Sequence, residues 1–442
     1  MDRDLQTILL RDNAWLNDIH QLQAWLDGHL PDPYLKRSAL SACADLWQIK
    51  NRAHLVVGPR QAGKTTLVWA HLAKLGERVL YVDCEQGLVR EWCKSAPLFL
   101  DELDSMLDEP VPLFFDEIQH LSEAGLFLKG LVDRKVGVPI IASGSSAFHL
   151  NSRTRESLAG RATRTVLLPF SLFEVCDDLS QRPPIAVNRE KEDRTQQHLV
   201  YGGYPEIWIG NNPELLLTEL VDAIVMLDAS DLHRIARPDA FRKLLRLAAR
   251  QVGSLVNVSE WASLSGVSRD TAASYLEILE SAHIVRLVPP FAGGRRSELT
   301  GRPKVFFVDN GVRNHLVGDF NRMEERGDTG PLLENWVFTE LAKSIPRDAS
   351  LFFWRSTSGA EVDFVVQIAD RIIAFEVKAG SMVRPKLSRA ARSFIEAYAP
   401  AAFVVVNGGL RHGMEVKNTP VLFRRPFELP EVLAGLYGSD LT

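Results

Sequence analysis

The run Gly58-Pro59-Arg60-Gln61-Ala62-Gly63-Lys64-Thr65 follows the apolar stretch Ala53 to Val57 and opens into Thr66-Leu67-Val68-Trp69-Ala70-His71-Leu72. Strand, glycine loop and helix in that order are what a phosphate cradle requires. Gly58 and Gly63 let the backbone wrap so that its N–H groups point inward, and the helix N-terminus adds partial positive charge. Lys64 is placed to reach the β- and γ-phosphate oxygens and Thr65 to offer its hydroxyl to Mg²⁺, with Thr66 closing the binding run. The segment predicts a site for ATP or GTP spanning Gly58, Pro59, Arg60, Gln61, Ala62, Gly63, Lys64, Thr65 and Thr66.

From Ala53 to about Glu174 short apolar strands (54–57, 79–82, 111–115, 139–142 and 165–168) alternate with helices, the pattern of a parallel α/β domain. Residues 1 to about 50 read as an amphipathic helical prefix, with Leu5, Ile8, Leu9, Trp15 and Ile19 at helical intervals. The 442 residues suffice for about three domains. We expect the helical prefix over 1–50, a nucleotide-binding α/β domain with a helical lid over 51–230, and two further domains over 231–310 and 311–442. The acidic start Met1-Asp2-Arg3-Asp4 lacks the basic and apolar regions of a signal peptide, and no apolar run reaches membrane-spanning length. A cytosolic protein without a membrane partner is expected. Cys43, Cys84, Cys93 and Cys176 lack paired spacing, so they read as small core residues rather than zinc ligands.

Leu113-Phe114-Phe115-Asp116-Glu117 supplies the second half of a nucleotide site. Asp116 at the strand end suits Mg²⁺ held through water, and Glu117 suits orientation of the attacking water. The next strand ends in Ala142-Ser143-Gly144-Ser145-Ser146, with Ser143 as a candidate sensor of the γ-phosphate. Charge developing on that phosphate needs a positive partner, in cis or from a neighbouring subunit. Arg153, Arg155, Arg161 and Arg164 are the candidates, Arg161 foremost, which leaves a homo-oligomer open.

Gly58 to Thr65, Asp116-Glu117-Ile118-Gln119, Ser143-Gly144-Ser145-Ser146, Leu158-Ala159-Gly160-Arg161, Pro169-Phe170-Ser171, Tyr201-Gly202-Gly203-Tyr204-Pro205-Glu206 and Val308-Asp309-Asn310-Gly311 form a set. Together they resemble the prokaryotic AAA-type ATPases that carry a C-terminal region of long-unassigned function. The resemblance implies ATP rather than GTP, and no Asn-Lys-x-Asp element of a guanine reader contradicts it.

A second constellation is Glu361-Val362-Asp363-Phe364 on one strand and Glu376-Val377-Lys378 on the next, paired as a hairpin around Ala369-Asp370. Strand alternation places Glu361 with Asp363, and Glu376 with Lys378. The helix-strand-strand-strand-helix-strand order of this region and these residues resemble the PD-(D/E)xK nuclease core. That resemblance implies Asp363, Glu376 and Glu334 as metal ligands and Lys378 as the positioning cation, although the Pro of the family signature is missing. The competing reading is a solvated salt-bridge cluster on a binding domain.

Between them, residues 241–252, 259–264 and 269–281 read as helices and 284–288 and 305–308 as strands around the loop Gly293-Gly294-Arg295-Arg296, the order of a winged helix-turn-helix. Leu232 to Lys304 carries twelve Lys and Arg against six Asp and Glu in a chain of net charge −5. Arg269, Thr271, Ser274 and Tyr275 on the second helix and Arg295, Arg296 and Arg302 on the wing are candidate contacts to DNA. The alternative is a nucleotide-dependent switch or scaffold whose C-terminal domain binds a protein partner.

Overall fold

The computed structural model describes residues 3–76, 78–145, 156–181, 183–224, 235–293 and 301–437. The chain divides into two compact units, one ending at Leu168 and one beginning at Pro169.

The first unit is built on strands β1 (Ala53–Gly58), β2 (Leu80–Asp83), β3 (Leu113–Asp116), β4 (Ile140–Ser145) and β5 (Ala162–Val166). All neighbours pair in parallel, in the order β2-β3-β4-β1-β5. The inner strands carry apolar runs, Leu55-Val56-Val57, Leu113-Phe114-Phe115 and Ile140-Ile141-Ala142, because both faces of the sheet are covered there, whereas the edge strand β5 is polar and half-buried. Leu55, Val57, Val82, Phe115 and Ala142 belong to one core with Phe99, Phe127 and Leu131. Val56, Phe114 and Ile141 face another, with Leu67, Trp69 and Leu72 of the helix Lys64–Leu75. The helical prefix is not a separate layer: Leu5 and Leu9 join the first core, and Trp15, Leu22 and Trp47 the second. Its placement is fixed by polar bonds as well. Trp15 Nε1 donates to the Val79 carbonyl at 2.7 Å, and the buried Asn13 amide exchanges bonds with Tyr81 N and O.

The second unit contains the helices Pro184–Tyr201, Pro213–Ala223, Pro238–Arg250, Val258–Ser265, Arg269–Ser281 and Asn310–Val317, with a two-stranded antiparallel ribbon, β6 (Val285–Val288) and β7 (Lys304–Phe307). A mixed six-stranded sheet follows: β8 (Ser350–Arg355), β9 (Glu361–Ile368), β10 (Arg371–Lys378), β11 (Ala402–Asn407), β12 (His412–Val416) and β13 (Thr419–Arg424), ordered β12-β13-β11-β10-β9-β8. The helix Arg389–Tyr398 covers one face, Phe394 packing with Val365, Ala374 and Phe403. The helix Thr329–Ser344 covers the other, where Phe338 stacks on Phe306 with ring centroids 4.9 Å apart. The expected hairpin around Ala369 is present, with Ala369 at φ 50°. The strands β12 and β13 and the helix Leu429–Tyr437 lie beyond the expected elements.

The helices after residue 169, expected as a lid on the ATPase domain, pack instead with the chain that follows them. The reason is a set of buried polar bonds between distant motifs. Gly203 N donates to Asp309 Oδ2 at 2.7 Å, Phe170 N to the Gly203 carbonyl at 2.7 Å, and Leu172 N to Glu340 Oε2 at 2.9 Å. A Cβ on Gly203 would overlap the Phe170 carbonyl, and one on Gly311 the Tyr201 carbonyl, so the glycines permit the approach. Residues 231–310 likewise share this unit with 311–437.

At the centre of these bonds, Trp336 Nε1 donates to His198 Nδ1 at 2.9 Å and His198 Nε2 donates to the Phe170 carbonyl at 2.8 Å. Burial, with Lys343 nearby, pushes His198 down to about 3 from 6.5. The folded chain holds this ring neutral while the unfolded chain protonates it below pH 6.5, so its stabilisation is complete above 6.5 and declines as pH falls toward 3. Glu340, pushed up to about 7 by burial, acts in the opposite direction. The histidine's part is therefore a difference between proteins: between pH 6.5 and 5, stability of wild type relative to His198→Gln should fall by about 1 to 2 kcal/mol. Urea unfolding at the two pH values measures it.

Candidate functional site

The phosphate loop sits at the carboxyl end of β1, between that strand and the helix Lys64–Leu75. Two residues of the loop adopt left-handed backbone, Gln61 at φ 58° and Gly63 at φ 86°. Gly58 accepts no side chain, because a Cβ there would overlap the Leu167 carbonyl oxygen. Ala62 is fully buried, and Gly63 stands at the N-cap, its carbonyl accepting from Leu67 N at 2.9 Å. The Lys64 side chain folds back over the loop, Nζ donating to the Pro59 carbonyl at 3.0 Å and approaching that of Gly58 at 3.4 Å.

Asp116 joins this loop to the neighbouring strands. Thr65 Oγ1 donates to Asp116 Oδ1 at 2.9 Å, Ser143 Oγ donates to the same oxygen, and Tyr81 OH donates to Oδ2 at 3.2 Å. Burial outweighs these three bonds and pushes the Asp116 carboxyl up to about 6; the adjacent Glu117 adds to the rise. A cation bound here would restore its ionised form. Glu117 is the next residue, held at φ 50° with its backbone N–H donating to Ser143 Oγ at 3.0 Å. That conformation is costly for a residue with a side chain, and Ser143 and the bond from Gln119 Nε2 to Glu117 Oε2 maintain it. Thr65, Asp116, Glu117 and Ser143 therefore converge as expected. Tyr81 and Gln119 were not singled out from the sequence as site residues, although Tyr81 lies near the end of a strand that pairs with β3.

The expectation for Arg161 needs correction. Its carbonyl accepts from Ala53 N at 3.0 Å, at the opposite end of β1 from the loop. Five strand residues separate the two ends, about 16 Å, and the guanidinium pairs with Asp133 at 2.6 Å. From there it does not serve the γ-phosphate of its own chain. Arg164 lies within β5, beside Leu55 of β1, and Arg153, Arg155 and Ser146 fall outside the described residues.

The fit to Mg²⁺ and nucleotide rests on these side chains. The hydroxyl and carboxylate oxygens of Thr65 and Asp116 lie together and are of the type Mg²⁺ prefers, and the glycine loop and Lys64 lie against them.

The C-terminal carboxylates lie near one another but are engaged by the chain's own donors. Lys304 of β7 donates to Glu334 Oε1 at 3.0 Å and to Glu361 Oε1. Lys378 pairs with Glu376 Oε1 at 2.7 Å, and Ser388 Oγ donates to Glu376 Oε2 at 3.1 Å. The ladder of β9 and β10 ends at Phe375 opposite Phe364, and Asp363 Oδ2 then accepts from Val377 N at 2.7 Å. Asp363 is pushed up to about 7, first by burial and then by Glu334. Among the described residues, no three His, Cys, Asp or Glu are arranged to hold a metal ion. The expected ligand set Glu334, Asp363 and Glu376 is thus divided between two lysines and a backbone amide. Glu361 and Asp363 share a face of β9, opposite to that of Val362, as alternation predicts; the period breaks only after them, where Asp363 and Phe364 together stand opposite Phe353 in a β-bulge.

In the helical part of the second unit, Tyr275 is buried against Phe241, with ring centroids 5.3 Å apart, rather than exposed. Arg269 and Ser274 are exposed, beside Asp270 and Glu277. The helix Pro238–Arg250 instead exposes Arg242, Lys243, Arg246 and Arg250. Arg295 and Arg296 fall outside the described residues, and Arg302 is exposed.

The parallel sheet, the glycine loop and the Asp-Glu pair at the end of β3 define a P-loop nucleotide-binding domain. Residues 50–176 match the family model described as an AAA domain, so the first unit carries a P-loop ATPase domain of the AAA type. Residues 192–322 and 329–422 match two models that are each described as a domain of unknown function, DUF8612 and DUF4143. An uncharacterized protein of Mycobacterium tuberculosis is 27% identical over 392 residues, 86% of this chain and 82% of that protein. One from Methanocaldococcus jannaschii is 24% identical over 350 residues, 75% of this chain and 76% of that protein. Among solved structures, the Walker-type ATPase of Pyrococcus abyssi aligns with a TM-score of 0.41 at 15% identity, over 65% of this chain and 97% of that one. Among the described residues, no helix is long and apolar enough to cross a membrane.

Ser143 makes a prediction separable from nucleotide binding. Ser143→Ala removes the acceptor of Glu117 N–H while leaving the glycine loop intact. ATP affinity should change less than threefold and kcat should fall by about one to two orders of magnitude, the range for a misplaced general base. Steady-state hydrolysis and a binding titration read the two quantities.

Proposed function

We propose that this chain is a Mg²⁺-dependent ATPase whose hydrolysis is coupled to DNA binding by the second unit. The observation that carries the catalytic half is the convergence of Thr65, Asp116, Ser143 and Glu117 beside the glycine loop. In this reading the loop amides and Lys64 hold the phosphates, and Thr65 and Asp116 hold the cation. Glu117, steadied by Ser143 and Gln119, orients the attacking water and accepts its proton. Bound Mg²⁺ would supply charge neutralisation on the phosphates.

The test separates binding from turnover. Lys64→Ala should abolish ATP binding and hydrolysis together. Glu117→Gln should retain ATP binding within a few-fold and lose about two to four orders of magnitude in kcat, the usual worth of a general base. Unchanged turnover in Glu117→Gln would refute the assigned base.

The DNA half is supported by the basic face of the helix Pro238–Arg250. Arg242, Arg246 and Arg250 recur every four residues along about 12 Å of helix, with Lys243 alongside and the apolar residues Phe241, Leu244, Leu245 and Ala248 buried on the other side. We read this helix, with Val258–Ser265, Arg269–Ser281 and the ribbon of β6 and β7, as a winged-helix module over 231–310. It contacts phosphates through its first helix more than through Arg269–Ser281. Such contacts carry little sequence information and depend strongly on salt. Arg242→Glu with Arg246→Glu should weaken duplex binding at least tenfold at 50 mM salt, flatten its salt dependence, and remove stimulation of ATP hydrolysis by DNA while basal hydrolysis persists. Anisotropy titrations at several salt concentrations test it, and full binding by the double variant would favour a protein partner instead. In 311–442 the carboxylates that metal-dependent cleavage would need are engaged by Lys304, Lys378, Ser388 and the Val377 amide.

A further inference from the structure

Lys304, the first residue of β7, is a buried cation. Its side chain is 4% exposed, while those of its partners Glu334 and Glu361 reach 18% and 27%. The backbone cannot easily withdraw it. Residue 304 pairs with Val288 across the ribbon and bridges Leu255, and Gly253 N donates to the Val305 carbonyl at 2.8 Å. The Glu334 carboxylate rests on Gly253, where an added Cβ would approach Oε2 at 3.1 Å. The ammonium also lies 5.4 Å from the centre of the Phe353 ring, opposite the β9 bulge. Lys304 thus ties the ribbon to the helix Thr329–Ser344 and to β9, and Asp363 feels its charge together with that of Glu334.

A divalent ion in a fork of this kind would draw its oxygens from the helix and from β9. Lys304 already takes a lone pair on Glu334 Oε1 and one on Glu361 Oε1, while Asp363 Oδ2 is taken by Val377 N. An ammonium and a dication cannot share them, since each Lys N–H takes a lone pair that a metal would need. We infer that Lys304 is the resident cation of the Glu334, Glu361 and Asp363 cluster and holds the place a divalent metal ion would take, so that this fold works as a metal-free element of the chain. The charge balance supports the same view: carboxylates held this close and largely out of water need positive partners, and the chain supplies them covalently, Lys304 between Glu334 and Glu361, Arg355 on Glu361 and Lys378 beside Asp363.

The experiment is Mn²⁺ binding to the full-length chain without nucleotide, followed by electron paramagnetic resonance, with Asp116→Asn in every sample, the otherwise wild-type chain included, so that the cation site of the first unit stays out of the measurement. Wild type should show no site tighter than about 1 mM, an affinity equivalent to −4.1 kcal/mol. Lys304→Ala should gain a site at least tenfold tighter, lost again in Lys304→Ala with Asp363→Asn. Lys304→Met keeps the apolar stem against Phe353 and should behave alike if the alanine variant folds poorly. A wild-type site that disappears in Asp363→Asn, Mn²⁺-dependent DNA cleavage by wild type that disappears in Asp363→Asn, or folded Lys304 variants with no gain in Mn²⁺ binding would each overturn the inference. None of these outcomes depends on whether the first unit hydrolyses ATP.

Discussion

Three hydroxyl groups on one buried carboxylate organise the first unit. Asp116 ends β3, the strand between β2 and β4, and its bonds to Thr65, Ser143 and Tyr81 draw together the helix after the glycine loop, β4 and β2. A carboxylate so buried would be expensive alone, and the hydroxyls offset only part of that cost, which is why its affinity for a proton rises. The same deficit makes it receptive to a cation. Glu117 inherits its position from this arrangement, because the Ser143 hydroxyl that donates to Asp116 also accepts from the Glu117 amide. Folding and catalysis therefore draw on the same few atoms.

The second unit meets a similar problem in another way. Its distant motifs are joined by buried polar bonds at Asp309, His198 and Asn335, each satisfied within the chain. Arg313 and Arg326 are buried against Asp328, which they hold at about 2 despite the opposing effect of burial. The carboxylates near β9 and β10 follow the same pattern: each has a lysine, a serine or a backbone amide. Where the first unit leaves a carboxylate beside an open phosphate loop, the second closes its own.

The nucleotide site was largely legible in the sequence because its signals are local. The glycine loop must follow a strand and start a helix, and an apolar run ending in Asp116-Glu117 can only present those acids at a strand's end. What escaped reading depends on contacts between distant segments. Lys304 meets Glu334 and Glu361, residues 30 and 57 positions away. The bulge at Asp363-Phe364 puts Val362 and Val365 into the same core, three positions apart where the strand period is two. Arg161 is close in sequence to Ser143 but immediately precedes β5, which puts it at the opposite end of the strands from the loop. Tyr275 carries a hydroxyl that suggests exposure, yet its ring is core and its oxygen accepts from Arg237 N at 3.2 Å. The division at Leu168 was hidden for the same reason, since the bonds that pull residues 169–224 toward the C-terminal half run to Asp309 and Glu340.

The central claim is that the loop around Gly58 to Thr65 and the strand end at Asp116 act as one ATP site. Hydrogen exchange read by mass spectrometry, with and without Mg²⁺ and a non-hydrolysable ATP analogue, examines it most directly. The account predicts joint protection of amides in residues 58–66 and 113–119, absent in Lys64→Ala. Protection of neither segment at saturating nucleotide, or protection of one without the other, would contradict it.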